Sequence, residues 1–168
     1  MSSRRIYLVR HGLAEELSAT GRDRDRALTA VGREKVRHAA RGLARVGVEV
    51  DRLVSSPLVR AVQTADEMAD EFPAARREVW EELACGVDEI GLTARLDDAA
   101  PSQNVMLVGH EPDLGEILAY WLTGRAMGFS TRVRKGSVIC LLAAALPPGG
   151  RATLEWMMTA RQLGLIAD

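Results

Sequence analysis

The chain has 168 residues, of which 47% are apolar and 27% charged, and its formal net charge is -1. These values fit one globular domain over 1–168 with a substantial core, and they argue against global disorder. They also give no support to nucleic acid as a partner, which would need a basic excess, while leaving room for a local anion pocket.

After Met1-Ser2-Ser3-Arg4-Arg5 comes an apolar run over residues 6–9, too short for a signal-peptide core or a membrane span. No long apolar segment follows, so a cytoplasmic protein without membrane contact is expected. The run reads as a buried strand that delivers Arg10-His11-Gly12 into a loop. Residues 15–26 are charged, contain Gly21 and show no apolar period, which predicts a surface loop. Thr29 looks like an N-cap, and Val36, Ala39, Ala40, Leu43 and Val46 recur at helical spacing until Gly47. Residues 50–54 predict a second strand, closed by Ser55-Ser56-Pro57. Pro57 suits the first turn of the next helix and the serine before it suits the cap, with Leu58, Ala61, Ala65, Met68 and Phe72 on its buried face. Residues 77–80 predict a third strand, 81–86 a loop and 89–96 a short helix. The most apolar strand, 105–108, closes on Gly109-His110-Glu111-Pro112 and leads to a helix over 113–122. Two late strands, 138–144 and 153–158, flank Pro147-Pro148-Gly149-Gly150, which reads as a hairpin or edge connection. Alternating strands and helices followed by two strands predict a three-layer α/β/α sandwich with a mostly parallel central sheet.

Ligands of open α/β sheets bind beyond the carboxyl ends of the strands. Three such ends carry unusual polar residues here: Arg10-His11-Gly12, Ser55-Ser56-Pro57 with Arg60, and Gly109-His110-Glu111. Singly, each has a bland reading as a cap or a surface cation. Together they place two of the three histidines and two arginines at one edge, a cost in stability unless an anion neutralises them. A phosphoryl group fits: Arg10 and Arg60 each offer a planar fork of donors, and first-turn amides near Pro112 would add positive potential. No cysteine phosphate loop, GxSxG elbow or Walker lysine is present. A neutral imidazole can attack phosphorus when its other nitrogen is held, and nearby arginines disfavour the imidazolium. His11 fits that role, with Gly12 leaving room for the phosphate. Cys85 and Cys140 form no ligand pattern and read as reduced thiols; the histidines lack close ligand spacing, so no metal is expected. His38 reads as an exposed bystander on the first helix.

Arg10-His11-Gly12, Ser56-Pro57-Leu58 with Arg60-Ala61 and Gln63-Thr64, and Val108-Gly109-His110-Glu111-Pro112 resemble the histidine phosphatase superfamily, which includes the cofactor-dependent phosphoglycerate mutases. Arg26-Ala27-Leu28-Thr29 with Gly32, Glu82-Leu83 with Cys85-Gly86, and Trp156 with Arg161-Gln162-Leu163 extend the resemblance to SixA-type phosphohistidine phosphatases. The resemblance implies a phosphoglycerate mutase-like fold, no cofactor, and transient phosphorylation of His11. It implies phosphoryl binding by Arg10, Arg60 and His110, the last protonated or donating, with Gly12 and Glu111 beside the substrate and Arg26 at its rim. Glu82 matches the mutase proton donor, and Glu111 is the alternative acid. Gln63 and Thr64 would help place the helix bearing Arg60. About fifty residues separate Pro57 from His110, without the insertion of the mutases, and the small open pocket this implies suits a phosphorylated side chain on a protein. The expected partner is thus a phosphorylated protein such as a phosphotransfer domain. A small phosphorylated substrate and a non-catalytic phosphoprotein-binding module are the alternatives, and a monomer is expected.

Overall fold

A computed structural model describes residues 3–97, 104–147 and 149–168. In chain order the main elements are β1 (Arg4–Arg10), α1 (Ala30–Arg45), β2 (Arg52–Ser55), α2 (Val59–Ala69), β3 (Arg76–Val79), α3 (Glu89–Asp97), β4 (Val105–Gly109), α4 (Asp113–Thr123), β5 (Val138–Ala143), β6 (Thr153–Met158) and α5 (Ala160–Ala167). Short 3-10 turns at Asp23–Asp25 and Glu81–Leu83 interrupt the loops.

The strands form one sheet in the order β3-β2-β4-β1-β5-β6. The first four run parallel, β5 is antiparallel to β1, and β6 is antiparallel to β5. The period of two along a strand divides the core in two. Ile6 and Leu8 of β1, with Val105 and Leu107 of β4, face α3 and α4, where Leu92, Leu96, Ile117 and Trp121 pack. Tyr7 and Val9, with Met106 and Val108, face α1, α2 and α5, where Ala39, Leu43, Ala65 and Leu163 pack. This is the three-layer arrangement anticipated from the strand and helix pattern.

Two local readings differ. The helix after β2 begins at Val59 and not at Pro57; Ser56 Oγ accepts the Leu58 N–H (3.2 Å) ahead of the helix, so its side chain shapes the turn. The chain also ends in α5, an element that the expected strands and helices do not include. Thr159 and Gln162 form a reciprocal capping box there. A Cβ on Gly42 would lie 2.1 Å from the Leu163 carbonyl, so only glycine in mid-α1 lets α5 pack this closely. Thr29 does cap α1, accepting the Gly32 N–H at 2.9 Å. The connection through Pro147-Pro148-Gly149-Gly150 includes Pro148, which lies outside the described residues.

Candidate active site

Strand order brings the three polar strand ends together. Arg10 at the end of β1 pairs with Gly109 at the end of β4, and Ser55 of β2 pairs with Val108, so His11, His110 and Ser56 leave three neighbouring parallel strands. The His11 and His110 rings lie 5.2 Å apart between centroids. His11 is 6% exposed, His110 2% and Arg60 4%.

His11 Nδ1 lies 2.7 Å from the Gly12 carbonyl, which can only accept, so this nitrogen carries the proton and Nε2 keeps its lone pair. Arg60 Nε approaches that lone pair at 3.3 Å. Burial is the main cause that pushes the His11 pKa down to about 3, against the Gly12 bond, with His110, Arg60 and Arg10 adding to it. His110 is pushed down to about 4, again by burial first and then by Arg60. Desolvation first, with the arginines adding to it, therefore keeps these rings neutral, and His110 is not an imidazolium in this state. Its Nε2 lies 2.7 Å from Ser56 Oγ, and its Nδ1 is buried without a partner.

Both rings are neutral in the fold but titrate near 6.5 when unfolded, so below about 6.5 the unfolded chain takes up protons that the folded chain refuses. Their contribution to stability is present above that pH and is lost as pH falls towards about 4 and then about 3. Urea midpoints measured at pH 8, 5 and 4 should fall, and the fall should shrink in a His11→Gln variant.

The arginines are not free forks. Arg60 donates NH1 to the Asp23 carbonyl (2.8 Å) and NH2 to Asp23 Oδ2 (3.0 Å), leaving its Nε edge towards His11. Arg26 donates to Asp23 Oδ1 (2.8 Å) and to the Glu15 carbonyl (3.0 Å), so it fixes Asp23 in place. Slight burial pushes the Asp23 carboxyl up, but the Arg60 and Arg26 bonds outweigh it and hold the pKa below the ordinary value. Asp23 is the site residue that sequence reasoning missed; the alternation Asp23-Arg24-Asp25-Arg26 was its only trace, and it reads as a solvated loop. Arg10 donates NH1 to the Val133 carbonyl (2.8 Å), while its Nε is buried and has no partner among the described residues.

Gly12 is tied to α2 by its N–H bond to Thr64 Oγ1 (3.0 Å), and Thr64 in turn donates to the Arg60 carbonyl (2.7 Å). Gln63 accepts the Leu28 N–H (2.7 Å), so this pair joins α2 to the strand-end loops. A Cβ on Gly12 would lie 2.7 Å from Val36 Cγ2, a closeness set by α1.

Both expected acids are engaged elsewhere. Glu111 accepts the Val133 N–H at 2.8 Å with Oε1 and the Gly115 N–H at 3.4 Å with Oε2. Its carboxylate faces backbone donors, which does not suit the substrate contact or the proton donor expected of it. Glu82 Oε1 accepts from Arg95 at 2.6 Å, and Oε2 is buried without a partner among the described residues. Burial pushes its carboxyl up, but a bond to its own backbone and the Arg95 pair outweigh this, so its pKa lies below the ordinary value and it is held as an anion. Of the first-turn amides of α4, those of Leu114, Gly115 and Glu116 donate to the carbonyls of His110 and Pro112 and are not open to an anion as anticipated. Asp113 in that turn is buried and accepts the Gly86 N–H (3.1 Å), holding the loop that carries Cys85. His38 is half-buried on α1.

Residues 6–95, more than half of the chain, match the family model of the histidine phosphatase superfamily (branch 1). Phosphohistidine phosphatase SixA of Escherichia coli K12 is 28% identical over 159 residues, covering 92% of this chain and 92% of its own. A solved structure of the protein histidine phosphatase SixA complexed with tungstate superposes with a TM-score of 0.82 at 26% identity, covering 95% of this chain and 99% of that one. The phosphoglycerate mutase of Bacillus anthracis shares the fold, with a TM-score of 0.72 at 15% identity over 99% of this chain and 98% of its own. The chain belongs to the histidine phosphatase superfamily. Within it, the similarity to SixA runs along nearly the whole length, and the protein is a phosphatase. Among the described residues, no helix is long and apolar enough to cross a membrane.

Proposed function

We propose that residues 1–168 act as one domain that hydrolyses phosphohistidine in a protein through a phosphorylated His11. The observation that carries this reading is the His11 ring: buried, neutral, its Nδ1 proton fixed on the Gly12 carbonyl and its Nε2 lone pair beside Arg60. In the first step, Nε2 forms a bond to phosphorus while the bond from phosphorus to the leaving group breaks, and that group takes the bonding pair. Arg60 Nε, Arg10 Nε and His110 then stabilise charge on the transferring phosphoryl oxygens. Leu58 N–H fills one lone pair of Ser56 Oγ, so the Ser56 proton can go to His110 Nε2; the His110 proton then sits on Nδ1 as a donor to the phosphoryl group. In the second step, water attacks phosphorus, the bond to His11 Nε2 breaks with its pair returning to the ring, and the protons of the water leave with the phosphate.

A leaving imidazole needs less protonation than an alkoxide. That matches a site whose Glu82 is held as an anion by Arg95 and whose Glu111 accepts backbone amides. Tungstate, bound by the related SixA, is a tetrahedral oxyanion like phosphate. Phosphate release should be measured from a phosphohistidine-bearing phosphotransfer domain and from an aryl phosphate, with wild type and His11→Ala side by side. Faster, His11-dependent turnover of the phosphohistidine supports the reading, whereas preference for the ester would move the function to a small-molecule phosphatase.

Glu111 acts as a positioning residue for Arg10. It holds the Val133 N–H, and the Val133 carbonyl holds Arg10 NH1. Glu111→Gln keeps an acceptor for Val133 and loses only the longer Gly115 contact, so kcat/KM should stay within about threefold of wild type. Glu111→Ala releases the segment and should lower kcat/KM about 10²-fold, as misplacement of an anion clamp does. Equal losses in both variants would make Glu111 a proton donor instead.

A further inference from the structure

Next to the site, the chain's cations are distributed unevenly. On the side of α1 that meets α2, Arg33 and Arg37 pair with Glu67, and Arg41 with Glu71. On the side towards α5, Lys35, Arg134, Lys135 and Arg161 are exposed and, among the described residues, none of them is in a salt bridge. These four line a cleft of about 580 Å³ whose titratable lining is completed by His38 and Glu34, and which has Val31, Ala160 and Gly164 between the charges. The cleft is therefore cationic in a chain with a net charge of -1. It shares Lys35, Lys135 and Ala160 with a smaller cavity of about 160 Å³, whose lining includes Gly12, the residue after His11. The segment 132–135 links cleft and site from the other side: Val133 points inward to hold Arg10, while Arg132, Arg134 and Lys135 are exposed.

The geometry points to this cleft as the docking groove for the protein that carries the phosphohistidine, with an acidic, amphipathic helix of that protein as its occupant. This rests on the reading under Proposed function. Unpaired like charges lining one cleft repel each other until an anionic partner arrives, and such a field speeds encounter and orients the partner. The cavity beside the groove is lined by Gly12, the chain neighbour of the reacting histidine, so a helix lying in the groove brings its own flank near the site. Its apolar strip between cations matches the face of an amphipathic helix. Among the described residues no Phe, Tyr or Trp lines it, whereas single-stranded nucleic acid is bound on such platforms.

The test uses the double charge reversal Lys35→Glu/Arg161→Glu, both exposed, on α1 and α5 and outside the segment whose Val133 carbonyl holds Arg10. Steady-state kinetics should be run with a phosphorylated histidine phosphotransfer domain that has acidic residues around its phosphohistidine, and with p-nitrophenyl phosphate. For the phosphoprotein, KM should rise about tenfold, and the gap to wild type should close as salt is raised. For the small ester, kcat/KM should stay within about twofold of wild type, since it cannot span the groove. Unchanged phosphoprotein kinetics in the variant, or equal losses with both substrates, would overturn the groove. Failure of wild type to hydrolyse the phosphoprotein while it hydrolyses the ester would instead overturn the proposed function. Charge-dependent binding of wild type to phosphatidylserine vesicles or to single-stranded DNA at 150 mM salt, tighter than to the phosphoprotein, would assign the groove to those ligands and overturn the proposal.

Discussion

His11→Ala should bring turnover to background, a fall of at least about 10⁴-fold, because no other group on the site can replace an attacking nitrogen. His110 is the other neutral imidazole at the site, but Ser56 Oγ occupies its Nε2; burial and the nearby Asp113 push the Cys85 thiol up, away from the reactive thiolate. The loss should lie in kcat. The substitution removes a buried ring and leaves Arg60 Nε and the Gly12 carbonyl without their partners, so some stability is lost, about 1–3 kcal/mol. Circular dichroism should still show the native α/β spectrum. Quenching wild type in base during turnover should trap a phosphoenzyme that is labile in acid, and peptide mapping should place it on His11. Retention of about a tenth of the wild-type rate by His11→Ala would remove the covalent scheme.

Arg60→Lys is the second large effect, with kcat falling about 10²–10³-fold and the fold retained. The reason lies in how Arg60 is held. Two of its nitrogens are bound to Asp23, which leaves a planar Nε–H edge aimed at His11. A lysine ammonium is a single point on a flexible stem and cannot hold Asp23 and present a second, fixed donor at once. The affinity for inorganic phosphate or tungstate, measured by calorimetry, should weaken along with kcat, because both report the same oxyanion contact. Asp23→Asn should show a smaller loss of the same kind. It keeps the backbone carbonyl bond to Arg60 and weakens only the bonds made by the carboxylate. An Arg60→Lys variant within about threefold of wild type in kcat would mean that the planar edge takes no part in the transition state.

Much of this protein is written locally. The continuous apolar runs at residues 6–9 and 105–108 mark two strands buried on both faces, and the polar tripeptides after them mark where a ligand would bind. Thr29 and the helical spacing after it mark α1. Those signals suffice because backbone periodicity and capping are properties of neighbouring residues. The three blocks around His11, Arg60 and His110 carry the family resemblance in the same way. The final helix is not read from the sequence: Thr159 and Gln162 are its local signal, but at eight residues its pattern is short, and the demand for it comes from Gly42 at a distance.

Which residues meet is a matter of long-range packing. Sheet order, with β4 between β2 and β1, sets Ser56 against His110 and His110 beside His11, and no local pattern encodes that order. Burial in that setting makes both rings neutral, an effect of desolvation that a residue's sequence neighbours do not predict. The same holds for the carboxylates. Glu111 and Glu82 read in sequence as acids beside the substrate, but long-range folding supplies Val133 and Arg95 to engage them, while Asp23, plain in sequence, becomes the anchor of Arg60. The order of residues along the chain dictates which side-chain types stand at the strand ends. The packing of distant segments dictates which of them are held, charged or free to react, because hydrogen-bond partners and solvent access are properties of the folded surface and not of the chain.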